Sequence, residues 1–417
     1  MSDPSHSVAE RQWPSWPELD DRSRESVLSV LDSGRLSVGW PSGGARAQER
    51  VFAEAFAAYL DVPHCVSVDH GTSALTAALE ALDVGAGDEV ILPALTWVAC
   101  AAAVLNVGAT PVLVDVESGS GCLDAQAAED ALTSRTRAIL AVHLHCSMAD
   151  VEALVSLSER SGVPLLEDCA QAHGACWRGR AAGTFGALGA FSMHQTKVLA
   201  GGEGGAVVTS DRGLYERVLQ LRADGRGYVP GEPVAGEDEL GPGAGLMGTN
   251  NCMTELSASL LLDQLPRLDE QHERRNRQAT RLRERLADVP GLQPVAVPEP
   301  VTRESIYEFA IRRGPESFGG APTQLAAEQL TRMLGFEVYQ PDPLLTQSPL
   351  FTPASKRRFG FLADPSRLRA GSFPRAARFQ EEVLLFHHSI LLADDASIDS
   401  VGDAFERVHM GLAAVRR

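Results

Sequence analysis

The chain has 417 residues, 44% of them hydrophobic, and a formal net charge of −18. That length suits two domains with a sizeable buried core. The acidic balance excludes a nucleic-acid partner, whose phosphates need a basic stripe, and an anionic membrane surface. No apolar run reaches membrane-spanning length, and residues 1–11 hold no apolar stretch of the kind a signal peptide needs.

The predicted elements alternate along the first half of the chain. Phe52, Phe56, Tyr59 and Leu60 make a helical stripe. A short strand over 65–68 ends at a small polar turn, Asp69-His70-Gly71-Thr72-Ser73, which opens a helix over 74–82. A strand over 89–92 is stopped by Pro93, a helix covers 97–105, and a strand covers 110–115. A helix over 123–132 precedes a continuous apolar strand over 138–143, as expected where helices cover both faces of a sheet. A helix over 151–160 leads to a strand that ends at Asp168. Further strands are predicted over 187–193 and 206–209, with Lys197 between them. This alternation predicts an α/β fold with a mostly parallel sheet and right-handed crossovers, whose ligands sit beyond the carboxyl ends of the strands.

Residues 228–248, rich in Gly, Pro and acids, read as an exposed loop. A helix over 253–265 meets Pro266, which either kinks it or starts a second helix. That second helix carries six arginines between 274 and 285, read as a solvated face. From about residue 289 come short strands and loops, a helix near 325–334 and a terminal helix near 397–414. The expected division is an N-terminal arm and large domain over 1–275, and a small α+β domain over 276–417.

Three motifs converge on one chemistry. Lys197 sits in Phe191-Ser192-Met-His194-Gln-Thr-Lys197, followed by the turn Glu203-Gly204-Gly205. Asp168 ends a strand, beside Glu167. Successive strand side chains point to opposite faces, so only one of these two acids can face a ligand. Gly71, Thr72 and Ser73 offer backbone N–H groups and hydroxyls at a helix start, a cradle for a phosphate dianion. A lysine, an acid at a strand end and a phosphate cradle are what pyridoxal 5′-phosphate requires. Lys197 is the candidate for the covalent link and for proton shuttling, and Asp168 for the partner of the ring nitrogen. Ser192 can add a phosphate hydroxyl, and Trp97 can cover the ring face. Cys169 and Cys176 flank His173, but a second closely spaced ligand pair is missing, so no metal site is expected. The seven cysteines form no C-x-x-C, which fits reduced thiols in a cytoplasmic enzyme.

With these residues in place, the chain resembles the DegT/StrS-type sugar aminotransferases, pyridoxal phosphate enzymes of the type I, aspartate-aminotransferase-like fold. The resemblance runs from about residue 28 to the C-terminus. It is carried by Ser33-Gly-Arg-Leu-Ser37, Gly71-Thr-Ser-Ala-Leu75, Glu167-Asp-Cys-Ala-Gln171-Ala-His-Gly174, residues 192–197 and Gly202-Glu-Gly-Gly205. It implies that Lys197 links covalently to the cofactor and Asp168 pairs with the ring nitrogen. It also implies that Gln171 lies near the ring, Trp97 stacks on it, and Thr72, Ser73 and Ser192 hold the phosphate. Asn250, in Gly248-Thr-Asn250-Asn251-Cys252-Met253, would reach the phosphate of a partner subunit, implying an obligate homodimer with shared sites. Many family members carry an arginine where this chain has Cys252. The anchor for the amino-acid donor's carboxylate is therefore open, with Arg222 and Arg226 as substitutes. Residues 193–199, 221–226 and 386–392 and the Cys252 position lean toward the cyclitol branch, similar to L-glutamine:scyllo-inosose aminotransferases. The expectation is amino transfer from L-glutamine or L-glutamate to a keto-cyclitol, in aminoglycoside or related antibiotic biosynthesis. The alternatives are a nucleotide-ketosugar acceptor, an aminohydroxybenzoate-forming dehydratase, and a non-catalytic partner subunit that keeps the fold. His194, His387 and His388 have no assigned role; the last two could line the substrate pocket or serve as core or surface histidines.

Overall fold

The computed structural model describes residues 13–243, 245–360 and 371–415. Residues 1–11, read as lacking a signal peptide, lie outside that range. The first region runs α1 (Asp21–Ser33), α2 (Gln48–Tyr59), β1 (His64–Val68), α3 (Gly71–Ala81), β2 (Glu89–Pro93), α4 (Ala99–Asn106), β3 (Thr110–Val114), α5 (Ala125–Asp130) and β4 (Thr136–Val142). It continues with α6 (Val151–Ser161), β5 (Leu165–Asp168), the two-residue strands β6 (Cys176–Trp177) and β7 (Arg180–Ala181), β8 (Leu188–Ser192), β9 (Gly205–Thr209) and α7 (Arg212–Leu221). Seven strands form one sheet in the order β1-β9-β8-β5-β4-β2-β3. β8, β5, β4, β2 and β3 run parallel to one another, and β9 runs against both β8 and β1. β1 therefore points the same way as the parallel set. The ends of β1, β2, β4, β5 and β8 all open on one edge.

The central strands are apolar along their length because both faces are covered. Val90, Ile91, Leu92, Ile139, Leu140, Leu165 and Leu166 are all buried. Pro93 is the last residue of β2, where a missing N–H costs the ladder least.

The second region follows α8 (Glu255–Gln264). A single 3₁₀ turn at Leu265–Arg267, with Pro266 inside it, joins α8 to α9 (Leu268–Ala287). Then come β10 (Leu292–Pro294), β11 (Val301–Arg303), β12 (Glu308–Arg313), α10 (Thr323–Leu334), α11 (Pro374–Glu382), β13 (Val383–His387) and α12 (Asp395–Val415). β10, β12 and β13 form an antiparallel sheet, and β11 joins β6 and β7 in a third. The 275/276 position falls inside α9, which runs through it unbroken. The arginines of that helix are largely committed. Arg281 pairs with Asp399, Arg283 with Glu304 and Arg285 with Asp403, while Arg275 is buried.

Among the described residues no helix is long and apolar enough to cross a membrane. All seven cysteines are free; five are buried, and Cys176 and Cys252 are half-buried.

Candidate active site

A cavity of about 700 Å³ opens at the shared strand edge, and its lining gathers most of the sequence candidates: Gly71, Thr72, Ser73, Trp97, Asp168, Gln171, Ser192 and Lys197.

One end is made by the start of α3. Its N-cap position is His70, which makes no side-chain cap hydrogen bond, so the first N–H groups of the helix are left for a ligand. Two glycines let it pack there. A Cβ on Gly71 would lie 2.6 Å from the Ser192 Cβ, and one on Gly205 would lie 2.5 Å from the His70 carbonyl. Only bare backbone at both positions brings the helix start, Ser192 and β9 this close together.

The acid pair resolves by strand alternation. Asp168 lines the cavity, where its Oδ1 accepts the Ala170 N–H (2.9 Å) and its Oδ2 the Cys100 thiol (3.0 Å). The Cys100 sulfur in turn meets the Thr96 hydroxyl at 3.2 Å. Glu167 points to the other face and is fully buried. It accepts the backbone N–H groups of Gly183 (2.9 Å), Phe185 (2.7 Å) and Gly186 (2.7 Å) and contacts His143 Nε2 at 3.1 Å. His143, Glu167 and Cys169 present donor atoms within 4.8 Å of one another, but the Glu167 oxygens are already filled by these N–H groups. His173 is separate from that group, with both ring nitrogens buried and unpartnered.

Lys197 lies past β8 with its Nζ 4.0 Å from the centre of the Tyr307 ring. Burial lowers its pKa below the ordinary lysine value, while Glu308, Asp168 and Asp342 pull the other way. Trp97 sits at the cavity wall with half its surface exposed, as a ring with one open face does. The Gln171 Oε1 accepts the His145 backbone N–H.

The remaining wall comes from the second region and was not legible beforehand. Tyr307, Glu308, Tyr339 and Asp342 all line the cavity. Glu308 receives His145 Nδ1 at 2.6 Å and the Tyr339 hydroxyl at 2.6 Å. Burial works to raise the Glu308 pKa. The hydrogen bond and charge of His145, together with Tyr339 and Lys197, overcome it and hold the group below the usual glutamate value. Asp342 goes the other way, raised first by burial and then by the neighbouring Glu308 charge. The types of these residues carried no signal, because nothing in local spacing ties residues 307–342 to Lys197.

Five residues of the expected set are placed elsewhere. Asn250 is exposed and outside the cavity of its own chain, bridged to Ala223. Asn251 next to it accepts the Asp69 N–H at 2.9 Å, which ties that segment to the turn before Gly71. Arg222 is corrected as a donor anchor: it is fully buried in a bidentate pair with Glu49 (2.7 and 3.2 Å) and bonds the Tyr228 hydroxyl at 2.8 Å. Arg226 reaches Asp224 and is also outside the cavity. His387 and His388 lie behind the lysine loop, not in the lining, whereas His194 lines the mouth near Glu203.

These residues fit pyridoxal 5′-phosphate. The uncapped helix start and its hydroxyls suit the phosphate, Asp168 suits a protonated ring nitrogen, and the half-exposed Trp97 suits a ring face.

Comparison with known proteins gives the same answer. A model of the DegT/DnrJ/EryC1/StrS aminotransferase family matches residues 17–405. An L-glutamine:2-deoxy-scyllo-inosose aminotransferase of Micromonospora echinospora is 45% identical over 96% of this chain and 95% of its own. An L-glutamine:scyllo-inosose aminotransferase of Streptomyces griseus is 45% identical over 98% and 97%. Among solved structures, 3-amino-5-hydroxybenzoic acid synthase superposes with a TM-score of 0.80 at 29% identity, covering 97% of this chain and 99% of that one.

Proposed function

Because the chain belongs to the DegT/DnrJ/EryC1/StrS aminotransferase family, we propose that it is a pyridoxal phosphate-dependent aminotransferase that moves an amino group from L-glutamine or L-glutamate to a keto-cyclitol of the scyllo-inosose type. The observation that carries this reading is the meeting of Lys197, Asp168 and the uncapped start of α3 in one cavity. The two cyclitol aminotransferases at 45% identity, aligned over almost the whole chain, support the acceptor class.

When bound, the cofactor supplies an aldehyde for the lysine amine and a ring that delocalises the electrons of a substrate carbon–hydrogen bond. The chain's residues do the rest. Lys197 Nζ, shifted by burial toward its neutral form, accepts a proton from the substrate carbon and returns it. Asp168, steadied by Ala170 and Cys100, keeps its carboxylate on the ring nitrogen. Gly71, Thr72, Ser73 and Ser192 take the phosphate, Trp97 and Gln171 bound the ring, and Asn250 serves the phosphate of a second subunit. The enzyme is, on this reading, a cytoplasmic homodimer of aminoglycoside-type antibiotic biosynthesis, with domains over 1–275 and 276–417 that meet within α9.

The test is a half-reaction screen. The enzyme charged with glutamine should convert scyllo-inosose or its 2-deoxy form to the amine and leave nucleotide-linked ketosugars untouched. Lys197→Ala should abolish turnover and covalent cofactor capture while far-ultraviolet circular dichroism stays unchanged. The likeness to 3-amino-5-hydroxybenzoic acid synthase keeps a dehydratase as the second reading. An aromatic product in place of an aminocyclitol would select it.

A further inference from the structure

Lys197 belongs to no helix or strand, yet its aim decides whether the site works. The loop around it is held partly by its own backbone: the Lys197 N–H donates to the His194 carbonyl (2.8 Å) and Gln195 N–H to Gly202 (2.8 Å). The carbonyls of Thr196 and Lys197 are held by side chains from distant parts of the chain. Trp16 Nε1 donates to the Lys197 carbonyl at 3.0 Å. His387 Nε2 and His388 Nε2 both reach the Thr196 carbonyl, at 2.9 and 3.1 Å.

The hydrogen positions follow from the opposite ring atoms. His388 Nδ1 receives Arg275 Nε at 3.2 Å, and arginine can only donate, so His388 carries its hydrogen on Nε2. His387 Nδ1 accepts the Ser389 N–H (3.3 Å) and meets the Ser389 hydroxyl (2.9 Å), which puts its hydrogen on Nε2 as well. Two N–H groups therefore fill both lone pairs of one carbonyl. Burial keeps both rings neutral, and the neighbouring Arg275 charge adds to it. Arg275 itself, although burial pulls it down to about 9, stays charged at neutral pH. Its guanidinium lies 5.0 Å from the Trp16 ring centre, and Trp16 meets His388 edge-on at 4.5 Å. None of the four side chains lines the main cavity, whereas Thr196 and Lys197 do.

We infer that Trp16, His387 and His388, with Arg275 fixing the His388 tautomer, form a backbone clamp that positions Lys197. Holding the carbonyl on each side of the Lys197 Cα fixes the two dihedrals that aim its side chain. The clamp draws on the segment before α1, on α9 and on the end of β13, so it closes only when all three are in place. The inference rests on the cofactor reading above.

The experiment separates aim from general integrity by comparing two cofactor forms. Pyridoxal phosphate needs Lys197 for its covalent link, whereas pyridoxamine phosphate binds the same cradle without it. In Trp16→Phe and His388→Phe, borohydride-trapped capture of pyridoxal phosphate should slow roughly tenfold, as small misplacements of a reacting group do. Pyridoxamine phosphate affinity should stay at the parent value. His388→Gln, which restores an N–H at similar reach, should bring capture back toward the parent rate. Capture at the parent rate in both Trp16→Phe and His388→Phe overturns the clamp, and so does an equal loss of both cofactor forms. Should His388→Phe not fold, Trp16→Phe carries the test alone, since it keeps an aromatic ring against Arg275 while removing the donor to the Lys197 carbonyl. Failure of the parent protein to bind either form would instead sink the cofactor reading itself.

Discussion

Two adjacent acids with opposite duties show how much one residue of strand register decides. Asp168 faces the cavity and Glu167 faces three backbone N–H groups on the far side. Asp168→Asn should therefore keep the fold and the cofactor but slow substrate proton removal by roughly a hundredfold or more, since a preorganised charge is lost where the reaction needs it. Single-turnover reaction with glutamine measures this, and a near-normal rate would show that another acid does the work. Glu167→Gln should do the reverse. One amide nitrogen would face a backbone donor, costing about 1–3 kcal/mol of stability in denaturant titration, with the chemical step unchanged in the folded fraction.

The elements that build the site depend on bare backbone as much as on chemistry. Gly71→Ala should push the start of α3 off Ser192 and weaken cofactor binding by about tenfold or more, because a Cβ at 2.6 Å cannot be accommodated without a shift. Cofactor titration of the apoprotein reads the effect. Much of this half was legible in the sequence: the apolar runs of β2, β4 and β5, the Gly71 turn and the Lys197 loop each carry a local signal. α1, α7 and α11 were passed over. The first two carry recognisable caps, Asp20 with Ser23 and Asp211. β12 and β13 were read only as short strands and loops, since their pairing joins residues 71 to 79 apart. Tyr307, Glu308 and Tyr339 could not be assigned to the site, because only tertiary folding brings them against a lysine more than a hundred residues earlier.

At the scale of the molecule, buried neutral histidines set the response to acid. Burial takes His173 down to about 3 and His272 and His388 well below the ordinary value. In the unfolded chain these rings protonate at about pH 6.5. Their contribution to stability is thus complete above that pH and is lost as pH falls toward the folded values, because the unfolded state takes up protons the native state refuses. The thermal midpoint should drop between pH 7.5 and 5.5. His173→Phe, which keeps a ring against Phe56 and Phe191, should flatten that drop. Assembly gives a second prediction at this scale. Asn250 lies away from its own cavity, so in the proposed homodimer with shared sites, Asn250→Ala and Lys197→Ala chains, each impaired alone, should restore activity when mixed, one site of each mixed dimer carrying both defects and the other neither. Free exchange of mass-tagged subunits without recovered activity would show that Asn250 does not act across an interface.

The seven free cysteines give the protein a built-in gauge of its own opening. Five are sealed inside, and burial raises the pKa of every one of them, so a thiol reagent added to the native protein should count no more than Cys176 and Cys252 quickly. Each further thiol that reacts then dates the opening of a particular compartment. Cys100, hydrogen-bonded to Asp168 beside the cavity, reports the site, while Cys146, with Glu304, Arg283 and Ala310 around it, reports the packing between the two regions. Mapping modified cysteines by mass over time would turn denaturation into an ordered sequence of local events, with no label introduced.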